Sequence, residues 1–482
     1  MIKLFCANVN EISNNTTHVY FDKFFNQSVD NLPCSITHLT FGNHFNQSVD
    51  NLPCSITHLT FGYNFNQLVD NLPNSITHLT FGNDFNQSVD NLPNSITHLT
   101  FGVCFNQLVN NLPNSITHLT FGYKFNQPVN NLPNSITHLT FSTHFNQLVD
   151  NLPNSLIYVE FGFYFNKSIN NLPNSLRYLE FNRSTFNGSI DNLPNSITHL
   201  TFGFDFNKPI YNKINYVTKK IFKSINVKIN KLPNSITHLT FGHYFNRSID
   251  NLPNSITHLT LGHNFNKLVD NLPNSITHLT FGYKFNQPIN NLPNSITHLT
   301  FGHDFNQLVD NLPNSITHLC FGCMFDQPVN KLPNSITHLF FGKKFNQCID
   351  NLPNSIVFVS FQNKINFCCY TIGCHRDDKI RFNKSIDKIV PFVKIFEFKD
   401  ENIYTLNVDK LKHKYIIFEN KYKHNNFTSV NYSRIFNEIF NLQYFTQEIL
   451  FEKLTQYVFN PQRLLRFAEK YNLTIDEYID FL

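Results

Sequence analysis

The sequence predicts a repeat solenoid: a stack of 20-residue coils carrying a short parallel β-sheet, followed by a smaller mixed and α-helical C-terminal region. Three observations lead there. The string Phe-Asn-Gln-Ser-Val-Asp-Asn-Leu-Pro-Asn-Ser-Ile-Thr-His-Leu-Thr-Phe-Gly recurs, with small changes, along about three quarters of the 482 residues. Inside each copy the apolar spacing shortens to two, at Leu39 and Phe41, alternating with His38 and Thr40 as a strand with one buried face requires. Finally, 16 of the 22 prolines stand at the Pro33 position, where a fixed φ and a missing amide donor forbid a helix across the coil.

In chain order, residues 1–24 read as an N-terminal half-repeat cap, because Ile12 to Phe21 copies the second half of the unit. Residues 25–366 are the array, about 17 units. Its opening Phe stands at Phe25 and every 20 residues to Phe165, slips by one to Phe186, reaches Phe206, and runs again from Phe245 to Phe345. Between them, 207–231 reads as one degenerate coil, with Lys219 in the His place and stacking continuing through a local distortion. The candidate core is Phe25, Val29, Leu32, Ile36, Leu39 and Phe41 in each unit, too little for a lone coil, so neighbours must complete one another. The Phe25 row is expected to stack as an aromatic spine, and the Asn26 row to satisfy backbone groups of the next coil.

Residues 367–482 hold 32 of the 70 charged side chains, and this shift marks a second region. Residues 367–432 read as a mixed α/β cap, with strands around Phe392–Phe398 and Tyr415–Phe418 closing the apolar end of the stack. Residues 433–482 read as a helical tail, from the spacing of Ile435, Ile439, Phe440, Ile449, Leu450 and Leu454.

Composition narrows the function. With 41% hydrophobic and 15% charged residues the chain is not a disordered tail, and no run of about 18 apolar residues could span a bilayer. A net charge of +4 is too small to imply nucleic-acid binding, so neither nucleic acid nor membrane is expected as a partner. The N-terminus lacks the apolar core of a signal peptide, which makes cytoplasm the expected compartment and reduced thiols the expected state of the ten cysteines. Asn26-Gln27-Ser28 is then a glycosylation sequon in name only.

At Phe125-Asn126-Gln127-Pro128 and Phe285-Asn286-Gln287-Pro288 the sequence is very similar to the FNIP repeat family, named for its Phe-Asn-x-Pro signature and known chiefly from social amoebae and giant amoebal viruses. Such repeats look like divergent leucine-rich repeats, here Ile36-x-x-Leu39-x-Phe41. The resemblance covers about residues 12–366, although the family's usual unit is nearer 22 residues than the 20 found here. It implies a leucine-rich-repeat-like solenoid with its sheet on the concave face, acting in the cytoplasm (the host's, if viral) as a protein-interaction scaffold and not as an enzyme. Many relatives carry an N-terminal F-box that recruits a cullin ubiquitin ligase; Met1 to Phe24 shows none. Gln447-Glu448-Ile449-Leu450 with Leu464-Leu465-Arg466 faintly resembles one at the other end, so a ligase substrate adaptor with ligase subunits as partners is the alternative reading, and a structural or virion-associated repeat protein a further one.

Candidate functional residues are few. Thirteen of the 22 histidines occupy the His38 position of full units, interrupted by Tyr158, Tyr178 and Lys219 and followed by Phe358. Stacking puts them in a row without carboxylate or thiolate ligands beside it, which does not make a closed metal site. Crowded imidazoles should resist protonation, so the fold should lose stability below about pH 6. Units seven and eight replace the monotonous outward set by Tyr158, Glu160, Arg177, Tyr178 and Glu180, the one amphipathic patch of the kind enriched at interfaces and the candidate partner-binding site. The pair after each Gly also varies, as in Tyr63-Asn64 and His303-Asp304. Cys320 and Cys323 make a lone Cys-x-x-Cys with no second pair nearby to complete a zinc site, and Cys368, Cys369, Cys374 and His375 cluster where the repeats end, with metal binding there a minor reading. No phosphate loop or catalytic arrangement is present, and no cofactor or metal is expected.

Overall fold

The computed structural model describes residues 3–6, 8–181, 183–217 and 224–361, and beyond them 384, 388–389, 391–393, 395–398 and 415–418. Each full coil buries the same six side chains; in the coil opening at Phe45 these are Phe45, Val49, Leu52, Ile56, Leu59 and Phe61, none more than 7% exposed. The turn at Pro53 is closed by the Ile56 amide donating to the Pro53 carbonyl at 3.2 Å, and the chain then enters the strand His58–Thr60. Only the central Leu of that strand is buried, because period-two alternation leaves its two neighbours on the solvent side.

Among the described residues these strands form one parallel 20-stranded sheet in strict register, His38 beside His58, Leu39 beside Leu59, Thr40 beside Thr60. It begins with Lys3–Cys6 against His18–Phe21 and extends past Phe358–Ser360 to Ile395–Phe398 and Tyr415–Phe418, so the two late strands continue the ladder in the same direction. About sixteen coils stack in this way.

Three further ladders hold neighbouring coils together. The Asn26 side-chain oxygen accepts the backbone amide of Asn46 at 2.9 Å, Asn46 does the same for Asn66, and the chain of bonds runs on to Asn346, with Asp326 as the accepting group in its last step. Ser55 Oγ donates to the Ile36 carbonyl at 2.7 Å, repeated from coil to coil. The aromatic spine is double: the Phe41 ring lies 3.7 Å from Phe45 in the parallel sense, and each stacks on its equivalent in the next coil at 5.6 and 5.9–6.1 Å. Where each coil turns out of the strand the backbones nearly touch, and a Cβ on Gly62 would lie 1.9 Å from the Gly42 carbonyl oxygen.

Two irregularities locate the departures from the period. The extra residue before Phe186 is absorbed at Arg183, which takes a left-handed φ of 52°, and at buried Ser184, whose hydroxyl donates to the Phe165 carbonyl and accepts the Phe186 amide. The second corrects the expectation for 207–231. That segment is not a distorted coil of the stack: Tyr211–Val217 and Ser224–Asn230 pair antiparallel as a separate two-stranded ribbon, and His199–Thr201 pairs directly with His238–Thr240. The ribbon is an insertion between the Val29-equivalent Ile210, fully buried, and the Asn31-equivalent Lys231, whose amide donates back to the Ile210 carbonyl at 2.9 Å. Its length nearly equals one repeat, which is why the sequence count is one coil too high.

The Cys368–His375 cluster, the 433–482 helices with their F-box-like pattern and Lys219 lie outside the described residues. Among those described, no helix is long and apolar enough to cross a membrane.

Candidate interaction surface

The solvent face of the sheet is built from two columns, the first and third residue of each strand. In the first, His18 to His138 stack ring on ring at 4.1–4.3 Å with planes within about 11° of parallel, and His199 to His338 repeat the arrangement. Each ring is fixed by the preceding Thr: Thr57 Oγ1 lies 2.9 Å from His58 Nδ1 and 3.1 Å from the Thr37 carbonyl oxygen. If the hydroxyl donates to the carbonyl, Nδ1–H donates to the hydroxyl, and an added proton at Nε2 breaks none of these bonds. What opposes protonation is the surroundings. Burial, followed by neighbouring imidazoles, holds His58, His78, His118, His199, His258, His278 and His298 below the usual histidine range, burial alone does so for His238, and His318 is pushed down to about 4. Parallel rings also keep their nitrogen lone pairs parallel, whereas a metal needs them convergent. Among the described residues no three His, Cys, Asp or Glu side chains are grouped to hold a metal ion.

The predicted patch interrupts both columns at once. Strands Tyr158–Phe161 and Tyr178–Phe181 lie side by side, Tyr158 beside Tyr178 and Glu160 beside Glu180. The Tyr158 hydroxyl stands 3.2 Å from Glu160 Oε2 and 3.3 Å from Glu180 Oε2, one proton offered to two carboxylates. Burial, reinforced by both carboxylates, holds the Tyr158 phenol well above its ordinary range, so it remains a donor. Burial also raises the Glu180 carboxyl; the Tyr158 hydrogen bond pulls it down and the Glu160 charge pushes it up again. The patch is continuous with the ladders, Tyr158 lying 5.9 Å from His138 and Tyr178 stacking on His199 at 4.4 Å. Four of the five residues are thus brought together. Arg177, just before its strand, is exposed and joins neither glutamate; its carbonyl accepts the amides of Thr198 and His199.

Cys320 stands in the third column and Cys323 in the varying pair, both buried. A second aromatic column was not anticipated: His243, His263, Tyr283 and His303 stack at 4.1–4.6 Å along the first position after the Gly. Aromatic residues at that position in four consecutive coils were its signal. The last of them, His303, has Nδ1 2.6 Å from Asp304 Oδ1.

Comparison with known proteins agrees with this architecture. The family model described as FNIP Repeat matches in overlapping pairs of units over 45–184 and 226–364. Among solved structures the chain is similar to CroV588, a circular leucine-rich-repeat protein of a giant virus, with 41% identity and a TM-score of 0.61 over 87% of this chain and 71% of that one. It is also similar to YopM from Yersinia enterocolitica (19% identity, TM-score 0.46, 71% and 72% covered) and to the functional domain of InlJ from Listeria monocytogenes (10%, 0.39, 68% and 69%). A search of curated proteins finds no match. With the family model covering more than half of its residues and the stacked coils carrying the Phe and Asn ladders, the chain belongs to the FNIP repeat family.

Proposed function

We propose that this chain is a non-enzymatic protein-interaction scaffold whose recognition site is the patch of Tyr158, Glu160, Arg177, Tyr178 and Glu180 on the solvent face of the sheet. One observation carries the reading. Among the described residues, coil after coil of that face presents the same His and Thr, which cannot distinguish one partner from another; Cys320, Phe340, Phe358 and Ser360 depart from it with uncharged side chains near the far end, and paired tyrosines with paired glutamates stand only at two adjacent coils. Tyr178 is 38% exposed, and its ring with the neighbouring carboxylates offers the mixture of aromatic area and fixed charge that concentrates binding energy. Leucine-rich-repeat-like solenoids bind proteins in general, which supports the class of function without naming the partner.

The test is affinity capture from cytoplasmic extract with the full chain, followed by mass spectrometry. Two variants accompany it: Tyr158→Ala with Tyr178→Ala, and a reversion to the consensus, Tyr158→His, Glu160→Thr, Tyr178→His and Glu180→Thr, which installs the residues that the flanking coils carry at the same places. A partner held by the wild type and lost from both variants is the expected result. A partner retained by both rejects the patch, and recovery of cullin-ligase subunits would favour the adaptor reading.

A further inference from the structure

The position after each Pro is Asn in every full coil from Asn74 onward, but in the first two it is Cys34 and Cys54. Both thiols are exposed. The two turns that carry them are held in register from either side. Upstream, Asn51 Nδ2 donates to Asp30 Oδ1 at 3.0 Å; downstream, Ser55 Oγ donates to the Ile36 carbonyl at 2.7 Å and the Thr57 amide to the Thr37 carbonyl at 2.8 Å. The turns themselves are alike, closed by Ile36 on Pro33 and Ile56 on Pro53, each at 3.2 Å. Equivalent residues of adjacent coils therefore lie one strand spacing apart, about 4.8 Å, inside the Cα range of roughly 4.4–6.8 Å that a disulfide bridges.

We propose that Cys34 and Cys54 are a redox-reversible pair that closes into a cross-coil disulfide and ties the first two full coils together. With a small-molecule disulfide such as glutathione disulfide as oxidant, one thiolate attacks a glutathione sulfur and expels one glutathione thiolate. The second cysteine then attacks the mixed disulfide and expels the other, so two thiols and one glutathione disulfide become one protein disulfide and two glutathiones. Stacked coils point equivalent Cβ atoms the same way, leaving them about a coil apart where a disulfide wants about 3.8 Å. The exposed turn tips must approach slightly, which makes the bond one that a thiol readily reopens. A one-dimensional stack opens from its ends, and this pair lies in the two coils next to the N-terminal cap, where a cross-link suppresses that opening most.

The experiment oxidises the full-length protein with glutathione disulfide and cleaves it on the N-terminal side of aspartate, which separates 30–49 from 50–69. The expected result is a monomer lighter by two hydrogens, peptides 30–49 and 50–69 recovered as a linked pair, and slower amide exchange in these two coils that dithiothreitol restores. Cys34→Asn, which installs the residue of the later coils, should lose the linked pair, while Cys104→Ser should keep it. Unchanged thiols, separate glutathione adducts on the two cysteines, a disulfide-linked dimer, or Cys54 joined to a cysteine other than Cys34 each overturn the proposal.

Discussion

The histidine ladder makes a quantitative prediction about acid. His318 has its pKa pushed from 6.5 down to about 4, first by burial and then by the charges that His338 and His278 would carry. The lowered value means that the neutral ring belongs to the folded state, so between pH 6.5 and about 4 the unfolded chain binds the extra proton. The stabilisation is complete above pH 6.5, declines as pH falls below that value, and is fully lost once pH has fallen through about 4. Between about pH 7.5 and 5.5 the linkage relation gives a loss of about 1.3 kcal/mol for this one ring. Because the ring is partly exposed, solvent screening reduces this to about 0.5–1 kcal/mol. The perturbation is His318→Asn, whose amide can replace Nδ1 beside Thr317 Oγ1, now at 2.9 Å, without titrating. Urea denaturation at the two pH values should show the wild type losing more stability on acidification than the variant by that amount. Equal losses, or a wild type that gains stability in acid, would refute the reasoning.

Substitutions at three other positions probe the close contacts between coils. Phe125→Ala empties a fully buried site 3.7 Å from the Phe121 ring and should cost about 3–5 kcal/mol, seen as a lower denaturation midpoint. Asn286→Ala removes the oxygen that accepts the Asn306 amide at 2.9 Å and Gln307 Nε2 at 3.0 Å; a loss of about 1–2 kcal/mol is expected by the same assay, whereas Asn286→Asp should be nearly neutral because Asp326 fills that place in its own coil. Gly282→Ala would put a Cβ 1.9 Å from the Gly262 carbonyl oxygen, so the backbone must move, and a drop of about 2 kcal/mol or more in stability is expected. Ser142 in the same row shows that such a shift can be accommodated, so a folded but less stable protein is the outcome to look for.

Much of this architecture is legible in the sequence. Phe25, Val29, Leu32, Ile36, Leu39 and Phe41 are all buried, as their spacing requires, and the Asn row bonds the next coil's backbone. These followed because each repeat is an independent measurement of the same pattern. The ribbon at Tyr211–Asn230 passes for a coil for a related reason: an inserted length close to the period imitates one more copy. Its own alternation, Ile214 and Tyr216 in one strand and Ile225, Val227 and Ile229 in the other, runs over seven residues where the coil strands have three or four, and it is the better guide. The pairing of the two Phe columns was hidden because Phe41 and Phe45 belong to different copies of the string, although they stand only four residues apart. At the patch, the sequence marks which residues differ from the consensus, but only the strand register shows one phenol serving two carboxylates while Arg177 stays apart.

The ribbon also says something about how such an array can change. On either side of it every ladder resumes without an offset: His199 meets His238, and the Asn246 amide finds the Asn207 oxygen at 3.1 Å. Alignment is thus renewed by each coil from its immediate neighbour and is not inherited along the chain, so an error or an addition in one coil does not propagate. The turn between the Val29 and Asn31 positions acts as a port into which new sequence can be spliced while the sheet stays undisturbed. The outer edge of the array is therefore free to diversify by insertion, and the sheet face by point substitution, each without consequence for the other.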